Sequence, residues 1–240
     1  MRRLGINATT VIYYLAHALI IAVGAGLTLL RNPIWTAIGT SLIAAGAAGA
    51  VIYLYIARTE TARQAIETLS KFGLTRVYER RAAQIREEYA TRLDRAKSHV
   101  DILGFGLKDF RRDYIDALGA LSGRARVRIL LIDPYSDLCT MRDREERQGE
   151  GTIQSEVTEF ISQFKQRYAS SDPERLSLKI FTCLPLVNIF KIDNEIFWGP
   201  WLVGQASGNT ITLRVTRGIL YDQLSAHFDD IWDHYSRAID

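Results

Sequence analysis

The chain has 240 residues and a formal net charge of +3, from 30 basic and 27 acidic side chains. Residues 1–56 contain Arg2, Arg3 and Arg31 and no acidic residue, so they carry the whole of this excess. The remainder is neutral and lacks the basic surplus that binding along a phosphate backbone requires. We therefore expect no nucleic-acid partner, in a chain long enough for one or two domains.

Two apolar segments, residues 11–30 and 34–56, contain no charged side chain apart from the ionisable His17. Each has about 20 residues or more, the length that a helix needs to cross the hydrocarbon core of a bilayer. A cleaved signal peptide is the alternative for the first segment, but its apolar run is too long and a second run follows at once. We predict a two-helix transmembrane hairpin over residues 1–57, surrounded by membrane lipid.

Basic residues are distributed unequally around this hairpin. Arg2 and Arg3 precede it, Arg58 and Arg63 follow it, and Arg31 alone lies at its connection. Positively charged flanks remain on the cytoplasmic side of a membrane. The pattern predicts a two-pass protein of the inner (cytoplasmic) membrane with both termini in the cytoplasm.

Small residues recur every four positions in both apolar segments. The two ladders are Ala18, Ala22 and Gly26 in the first segment and Ala37, Ser41, Ala45 and Gly49 in the second. Such ladders let helix backbones approach closely in lipid. They can pack the two helices of one hairpin together or join hairpins into a homo-oligomer, and the sequence leaves both open. His17 is expected to be neutral and hydrogen-bonded within the bundle.

Residues 58–98 are predicted to form a juxtamembrane helical connector, interrupted near Phe72-Gly73. Residues 58–97 hold ten basic and six acidic side chains. A solvated helix explains this surplus, and contact with anionic lipid headgroups would add about 1 kcal/mol per basic residue near the surface. From Ile85 to Val100 one helical face is apolar, so this part should pack on the domain that follows.

Strand and helix patterns alternate over residues 99–240. The predicted strands are 100–107, 127–132, 176–183, a hairpin at 187–198, and 210–215, and the predicted helices are 108–122, 153–168 and 220–235. This alternation predicts an α/β sandwich with helices on both faces of the sheet. The expected fold class is thus membrane-anchored α/β, with two transmembrane helices, a helical connector and an α/β domain.

The hairpin at 187–198 is the best-defined element. In this segment the set Val187, Ile189 and Lys191 alternates with the set Asn188, Phe190 and Ile192, which we interpret as the period of a half-buried strand. Asp193 and Asn194 follow, and both residue types favour tight turns. Glu195 to Trp198 then becomes apolar again, as the returning strand should.

The same hairpin fits the spacing H-x-K-x(4)-D followed by a glycine, which enzymes resembling phospholipase D carry across such a strand pair. With Asp193 and Gly199 in register, Leu186 stands at the histidine position and Asn188 at the lysine position. Neither side chain can attack phosphorus or neutralise a phosphate. We therefore predict no catalytic residue here and a protein that is not a phospholipase-D-type enzyme.

The wider sequence resembles catalytically degenerate phospholipase-D-like domains of bacteria over residues 75–240. The segments that carry the resemblance are ILGFGLKDF at 102–110, LLIDPYSDL at 130–138, Arg142, IFKIDNEIFWGPWLVG at 189–204 and HFDDIWDHY at 227–235. The resemblance implies that residues 99–240 have this fold. It also implies a sensing role attached to a membrane or regulatory module.

Ligands of open α/β sheets bind beyond the carboxyl ends of the strands. The candidate ligand-binding residues are Lys108, Asp133, Tyr135, Arg142, Lys191 and Asp193. If the pocket of a phosphodiesterase ancestor is retained, the three basic residues of this set can hold a phosphate- or nucleotide-like ligand without cleaving it. Lys191 and Asp193 share one strand face, and a structural ion pair between them is the alternative.

The sequence indicates no metal and no cofactor. Cys139 and Cys183 lie in segments predicted to be cytoplasmic, where a disulfide is not expected. The histidines of residues 99–240 are far apart, and no His/Cys set has zinc spacing. Gly104-Phe105-Gly106 is half of a nucleotide-binding loop, and close backbone packing explains it equally well.

Our leading functional hypothesis is a membrane-anchored sensor and effector. Its cytoplasmic pseudoenzyme domain would bind a small phosphate- or nucleotide-like ligand and signal to an oligomerising hairpin. Bacterial defence systems build effectors on this plan, which is an analogy of architecture alone. The alternatives are a phosphodiesterase or phospholipase acting at the membrane surface and a protein-binding membrane scaffold.

Overall fold

A computed structural model describes residues 8–30, 32–80 and 85–239. The orientation argument from Arg2, Arg3 and Arg31 therefore rests on residues that lie outside the described part. The chain divides into two compact units, residues 1–67 and residues 68–240.

The first unit is a helical hairpin. Helix α1 covers Ala8–Thr28, and helix α2 covers Pro33–Phe72 and so continues into the second unit. Both helices are long and apolar enough to cross a membrane. At 40 residues, α2 is about 60 Å long, so its helical part extends well past the predicted end of the second apolar segment.

Glycines form the contact between α1 and α2. A Cβ added to Gly39 would lie 2.5 Å from the carbonyl oxygen of Gly24, and one added to Gly46 would lie 2.6 Å from the Ile21 side chain. Gly49 likewise adjoins His17, whose Nδ1 is 2.9 Å from the Tyr13 carbonyl oxygen. His17 is thus hydrogen-bonded, as expected.

The predicted ladders are for the most part outside this contact. Their exposed members are Ala18, Ala22, Gly26, Ala37, Ser41 and Ala45. Of the two ladders, only Gly49 packs within the hairpin, against His17. The hairpin is closed by a different glycine set, and the ladders remain free for other contacts.

Among the described residues of the second unit, eight strands form one mixed sheet in the order β1-β7-β6-β5-β2-β3-β4-β8. The elements are β1 (Leu74–Tyr78), α3 (Arg86–Arg95), β2 (His99–Gly104), α4 (Lys108–Tyr114), α5 (Leu118–Ser122), β3 (Arg126–Ile132), α6 (Asp137–Glu145), α7 (Thr152–Tyr168), β4 (Leu176–Phe181), β5 (Val187–Ile192), β6 (Glu195–Pro200), β7 (Thr212–Val215), α8 (Ile219–His234) and β8 (Ser236–Ala238). Strands β2, β3 and β4 are parallel and the other pairs are antiparallel. The predicted mixed α/β sheet with packed helices is confirmed.

Helices cover both faces of the sheet. On one face, Phe190 of β5 stacks on Tyr89 of α3 at 4.8 Å and meets Phe110 of α4 edge-on at 5.8 Å. On the other face, Arg128 of β3 reaches α8, where its guanidinium lies 4.8 Å from the centre of the Phe228 ring. Successive residues of a strand point to opposite faces, so each central strand supplies both layers of the core.

A charged cluster is buried under α8. Arg128 donates two hydrogen bonds to the carboxylate of Asp101, at 2.7 and 2.9 Å, and a third to Asp229 at 2.8 Å. Lys191 lies 3.7 Å from the same Asp101 carboxylate. The expected ion pair between Lys191 and Asp193 was therefore wrong, because Asp101 on the neighbouring strand takes the lysine.

The prediction of a connector that is helical over residues 58–98 was wrong at residues 74–78. Helix α2 ends at Phe72, Gly73 adopts φ +75°, and β1 then pairs with β7. Gly218 packs on this turn so closely that a Cβ there would lie 2.8 Å from the Gly73 nitrogen. The sheet therefore begins earlier in the chain than predicted.

The β5–β6 hairpin has the predicted strands, with Asp193-Asn194 as its turn. The prediction that β5 is half-buried was wrong, because helices cover both faces of the sheet and residues 188–192 are all buried. Asp193 has φ +49°. Its carboxylate accepts hydrogen bonds from the backbone N–H groups of Lys97, Ser98 and His99 and from the Ser98 hydroxyl. The turn is thereby fastened to the beginning of β2, so the predicted ligand residue Asp193 is occupied by the protein's own backbone.

We predict that Asp193→Asn lowers the free energy of unfolding by about 1–2 kcal/mol at pH 7, because charge-assisted hydrogen bonds become neutral ones. Burial acts to raise the pKa of Asp193, but its N–H donors outweigh burial and hold the pKa below its usual value. A carboxylate with a lowered folded-state pKa contributes stability above its unfolded pKa of about 3.9 and loses it as the pH falls through the folded value. The difference from the wild type, measured by chemical denaturation, should narrow below about pH 4.

The neighbouring turn residue provides the control. Asn194 is exposed, and Asn194→Ala should change stability little at either pH. A loss in Asp193→Asn that is equally large at pH 3 and pH 7 would contradict the role given to the carboxylate.

Candidate functional site

A cavity of about 400 Å³ lies where β2 ends. The loop from Gly104 to Lys108 forms one side, and Asn188 of β5 forms part of the floor. Trp201 and Ser207 come from the loop after β6 and form another part of the lining, which we call the roof. The site lies at the carboxyl end of a parallel strand, where ligands of α/β sheets bind.

The wall is largely aromatic. The aromatic lining residues are Tyr89, Phe105, Phe110, Tyr114, Phe190 and Trp201. Most of these rings are buried, and Tyr114 and Trp201 are half-buried. The Trp201 ring packs against Phe105 with 4.2 Å between ring centres. Such a wall offers flat apolar surface to a ligand with a planar part.

Every cation that lines the cavity in the described part of the chain is paired with a carboxylate of the same wall. The pairs are Lys108 with Glu156 at 3.3 Å, Arg86 with Asp113 at 2.9 Å and Arg112 with Asp109 at 2.9 Å. Burial raises the pKa of Glu156, and the nearby Lys108 offsets only part of this effect. The cavity is therefore nearly balanced in charge.

Arg142 fastens the roof from behind. Its guanidinium is buried and bonds the carboxylates of Glu145 at 3.0 Å and Glu146 at 2.8 Å. It also donates to the carbonyl oxygens of Leu202 at 3.5 Å and Gln205 at 3.4 Å. The loop after β6 is thus held against helix α6 and the residue that follows it.

Glu146 completes this network from the cavity side. It accepts a hydrogen bond from the Ser207 hydroxyl at 2.8 Å and one from the Gln148 amide at 2.6 Å. Glu146, Gln148 and Ser207 all line the cavity. The predicted ligand residue Arg142 therefore acts on the cavity through Glu146 and the roof, and does not itself line it.

Of the six predicted ligand residues, only Lys108 lines the cavity. Asp133 accepts hydrogen bonds from the N–H of Tyr135 and the guanidinium of Arg237, both at 3.0 Å, and Tyr135 itself is exposed. Lys191 belongs to the buried cluster under α8 and Asp193 to the hairpin turn. The structure therefore does not bring the six together.

The two motif positions of the hairpin differ in their surroundings. Leu186 is 64% exposed and has φ +59°. Asn188 is buried in the cavity floor, where its Nδ2 donates to the Gly199 carbonyl oxygen at 2.9 Å. Its Oδ1 is also buried, and it has no hydrogen-bond partner among the described residues. A buried acceptor in this state is costly and calls for an explanation.

Sequence reasoning missed Glu156, Glu146 and Trp201 as site residues. Glu156 lies among polar residues near the start of α7 and has the pattern of a solvated helix face. Glu146 stands in a charged loop, and Trp201 follows the hairpin by only one residue. The one usable signal was the run of bulky residues after β6, because a tryptophan beyond a strand end is placed where α/β sites form.

The described residues contain no group of three or more His, Cys, Asp or Glu side chains placed to hold a metal ion. Cys139 is buried, and burial raises its pKa to about 12. Burial thus favours the protonated thiol at neutral pH, which is a poor nucleophile.

No protein-family model matches the sequence, and no curated protein matches it. Among solved structures, phosphatidylserine synthase of Haemophilus influenzae Rd KW20 is similar over 87% of this chain and 48% of that chain, with 10% identity and a TM-score of 0.47. TrmBL2, an archaeal chromatin protein with a novel mode of DNA binding, is similar over 84% of this chain and 69% of that chain, with 11% identity and a TM-score of 0.44. The chain thus spans about half the length of the synthase. We draw no functional conclusion from either likeness.

We predict that Arg142→Met lowers the free energy of unfolding by about 3–5 kcal/mol, because it leaves the buried Glu146 carboxylate uncompensated. The double variant Arg142→Met/Glu146→Leu should lose less than the single one, since no unpaired charge remains in the interior. Urea denaturation of the four proteins in this cycle measures the coupling.

Arg144→Met is the matched control on the same helix. Arg144 is 71% exposed and pairs with Glu150, so its loss should cost less than about 1 kcal/mol. If the effects of the two single substitutions on the free energy of unfolding simply add up in the double variant, the roof is not held by this pair.

Proposed function

We propose that the chain is a membrane-anchored receptor: the two apolar helices hold it in the inner membrane with both termini cytoplasmic, and the second unit binds a small ligand in the cavity without hydrolysing it. The observation that carries this proposal is an aromatic-lined cavity with a fastened roof and no nucleophile at the motif positions. Such cavities with a few convergent polar groups are typical of ligand sites. The segments that resemble a phospholipase-D-like domain support the same proposal, because Leu186 and Asn188 stand where that family has its histidine and lysine.

Purified full-length protein in detergent should release no product from bis(p-nitrophenyl) phosphate or from phosphatidylcholine vesicles. Leucine cannot attack phosphorus, and the Asn188 amide donates to Gly199 and carries no charge. Native mass spectrometry of the same sample should show a small-molecule adduct, and the adduct should be absent from Trp201→Ala.

Trp198→Phe is the control for the loss of a tryptophan, because Trp198 does not line the cavity. Turnover that Glu156→Gln abolishes would overturn the receptor and make Glu156 a general acid in an enzyme. Glu156 has the raised pKa that such a role requires. The absence of both turnover and adduct would favour the protein-binding scaffold.

We further propose that several copies assemble through the exposed ladders and that ligand binding shifts this assembly, as a sensor and effector requires. Two helices are too few to enclose a pore, so any membrane effect needs more than one chain. The ladder residues Ala22, Gly26 and Ala45 are exposed in the first unit, while Gly24 and Gly39 close the hairpin itself. A ligand shifts assembly only if it binds the two states with different affinity.

We predict that the triple variant Ala22→Leu/Gly26→Leu/Ala45→Leu forms smaller oligomers in detergent, because leucine keeps the helix backbones apart. Light scattering measures the change. Ala47→Leu is the matched control, since Ala47 is exposed and lies on another side of α2, about 200° from Ala45. An unchanged oligomer size in the triple variant would show that the ladders face lipid only.

A further inference from the structure

We infer that the cavity recognises an uncharged, planar heterocycle that carries N–H donors, of the nucleobase type, and that it does not recognise a phosphate group. This inference rests on the proposed receptor function and names the ligand class of the same site. Three features of the wall carry it: neutralised cations, acceptors that face a ligand, and half-exposed aromatic rings.

The first feature is the pairing of the lining cations with carboxylates. Among the described lining residues, three are basic (Arg86, Lys108 and Arg112) and four are acidic (Asp109, Asp113, Glu146 and Glu156). Each of these cations already has a carboxylate partner within 3.3 Å. A phosphate bound by these cations would lie beside their carboxylate partners, and like charges at close range repel. The wall therefore opposes an anion.

The acceptors come second. The Oε2 of Glu156 lies so close to the Gly106 backbone that a Cβ there would be 2.5 Å away, so the absence of a side chain at Gly106 makes room for this carboxylate. Burial raises the pKa of Glu156, and the hydrogen bond from Lys108 to its other oxygen, Oε1, offsets only part of this effect. On the floor, Asn188 contributes the buried Oδ1 without a partner. The Glu156 carboxylate gains from a ligand that donates hydrogen bonds, and the unpaired Asn188 Oδ1 gains from a donor that displaces the side chain toward the cavity.

The aromatic rings come third. Trp201 is half-buried, and its ring is fixed by the Phe105 ring behind it. Phe105 is in turn 5.8 Å from the guanidinium of Arg142, which holds the roof loop. A ring that is held in this way offers a stacking surface whose order is established before binding. Stacking on aromatic side chains is a principal means of holding bases.

The three features together select the ligand class. A flat aromatic group can stack on the aromatic wall, and an amino or ring N–H group can donate hydrogen bonds to the acceptors. An uncharged ligand is favoured because the cations of the wall are already paired with carboxylates. The cavity volume of about 400 Å³ falls in the range of small-molecule sites. Adenine, guanine and cytosine each carry an amino group on an aromatic ring, so their nucleosides are the appropriate probes.

The experiment is isothermal titration calorimetry, in which each probe is titrated into the full chain in detergent. The probes are adenosine, guanosine, cytidine, purine riboside (which lacks the amino group), ribose 5-phosphate and inorganic phosphate. At least one amino-bearing nucleoside should bind saturably, and neither phosphate probe should bind. If adenosine binds, purine riboside should bind roughly tenfold more weakly or worse, because it leaves an acceptor unpaired.

Two variants test the residues. Glu156→Gln should reduce the preference for the amino group, and Trp201→Ala should weaken the binding of every nucleoside by roughly tenfold or more. Glu159→Gln on the same helix and Trp198→Phe are the matched controls, because neither residue lines the cavity. Circular dichroism verifies that each variant is folded, and Glu156→Gln keeps the shape of the side chain if Trp201→Ala fails to fold.

The outcomes separate this inference from the receptor proposal. Saturable binding of a phosphate probe, or a native adduct lost in Trp201→Ala that contains no heterocycle, overturns the ligand class and leaves the receptor standing. Nucleoside binding that both variants leave unchanged overturns the site. The absence of any probe binding and of any native adduct overturns both proposals together.

Discussion

The buried guanidinium of Arg142 positions the loop after β6, which forms the roof of the cavity. Removing a charge from water costs several kcal/mol unless partners replace the lost hydration, and Arg142 has two carboxylates and two carbonyl oxygens for this purpose. The carbonyl oxygens belong to a loop about 60 residues further along the chain. The loop thus supplies two of the four groups around the guanidinium, so the position of the roof and the burial of Arg142 depend on each other.

The sheet keeps its two sets of charges apart. Asp101, Arg128 and Lys191 are neighbours on adjacent strands and face α8. Asn188 and Phe190, on the other face, meet the cavity and its aromatic wall. A basic residue near a strand end can thus point toward α8 or toward the cavity. Its face is determined by whether its position in the strand is odd or even.

Local patterns made the hairpin at 187–198 predictable, because period-2 alternation and the Asp193-Asn194 turn are contained in twelve residues. Strand β1 was missed, since LTRVY has no regular apolar alternation and buries only Tyr78, and its partner strand β7 lies about 140 residues away. The site was only partly predictable for the same reason. Arg142 reads as a ligand residue until its partners Leu202 and Gln205 are known, and Glu156 reads as solvated until α7 is placed over Gly106.

Strand β5 joins the cavity floor to the turn that is fastened at the start of β2. Sliding this strand by one residue would exchange its faces, and it would carry Lys191 toward the aromatic wall and Phe190 away from Tyr89. The buried cluster under α8 therefore fixes the register of β5 against β2. A one-residue slip of β5 would therefore break the Lys191–Asp101 ion pair and the Phe190–Tyr89 stacking at the same time.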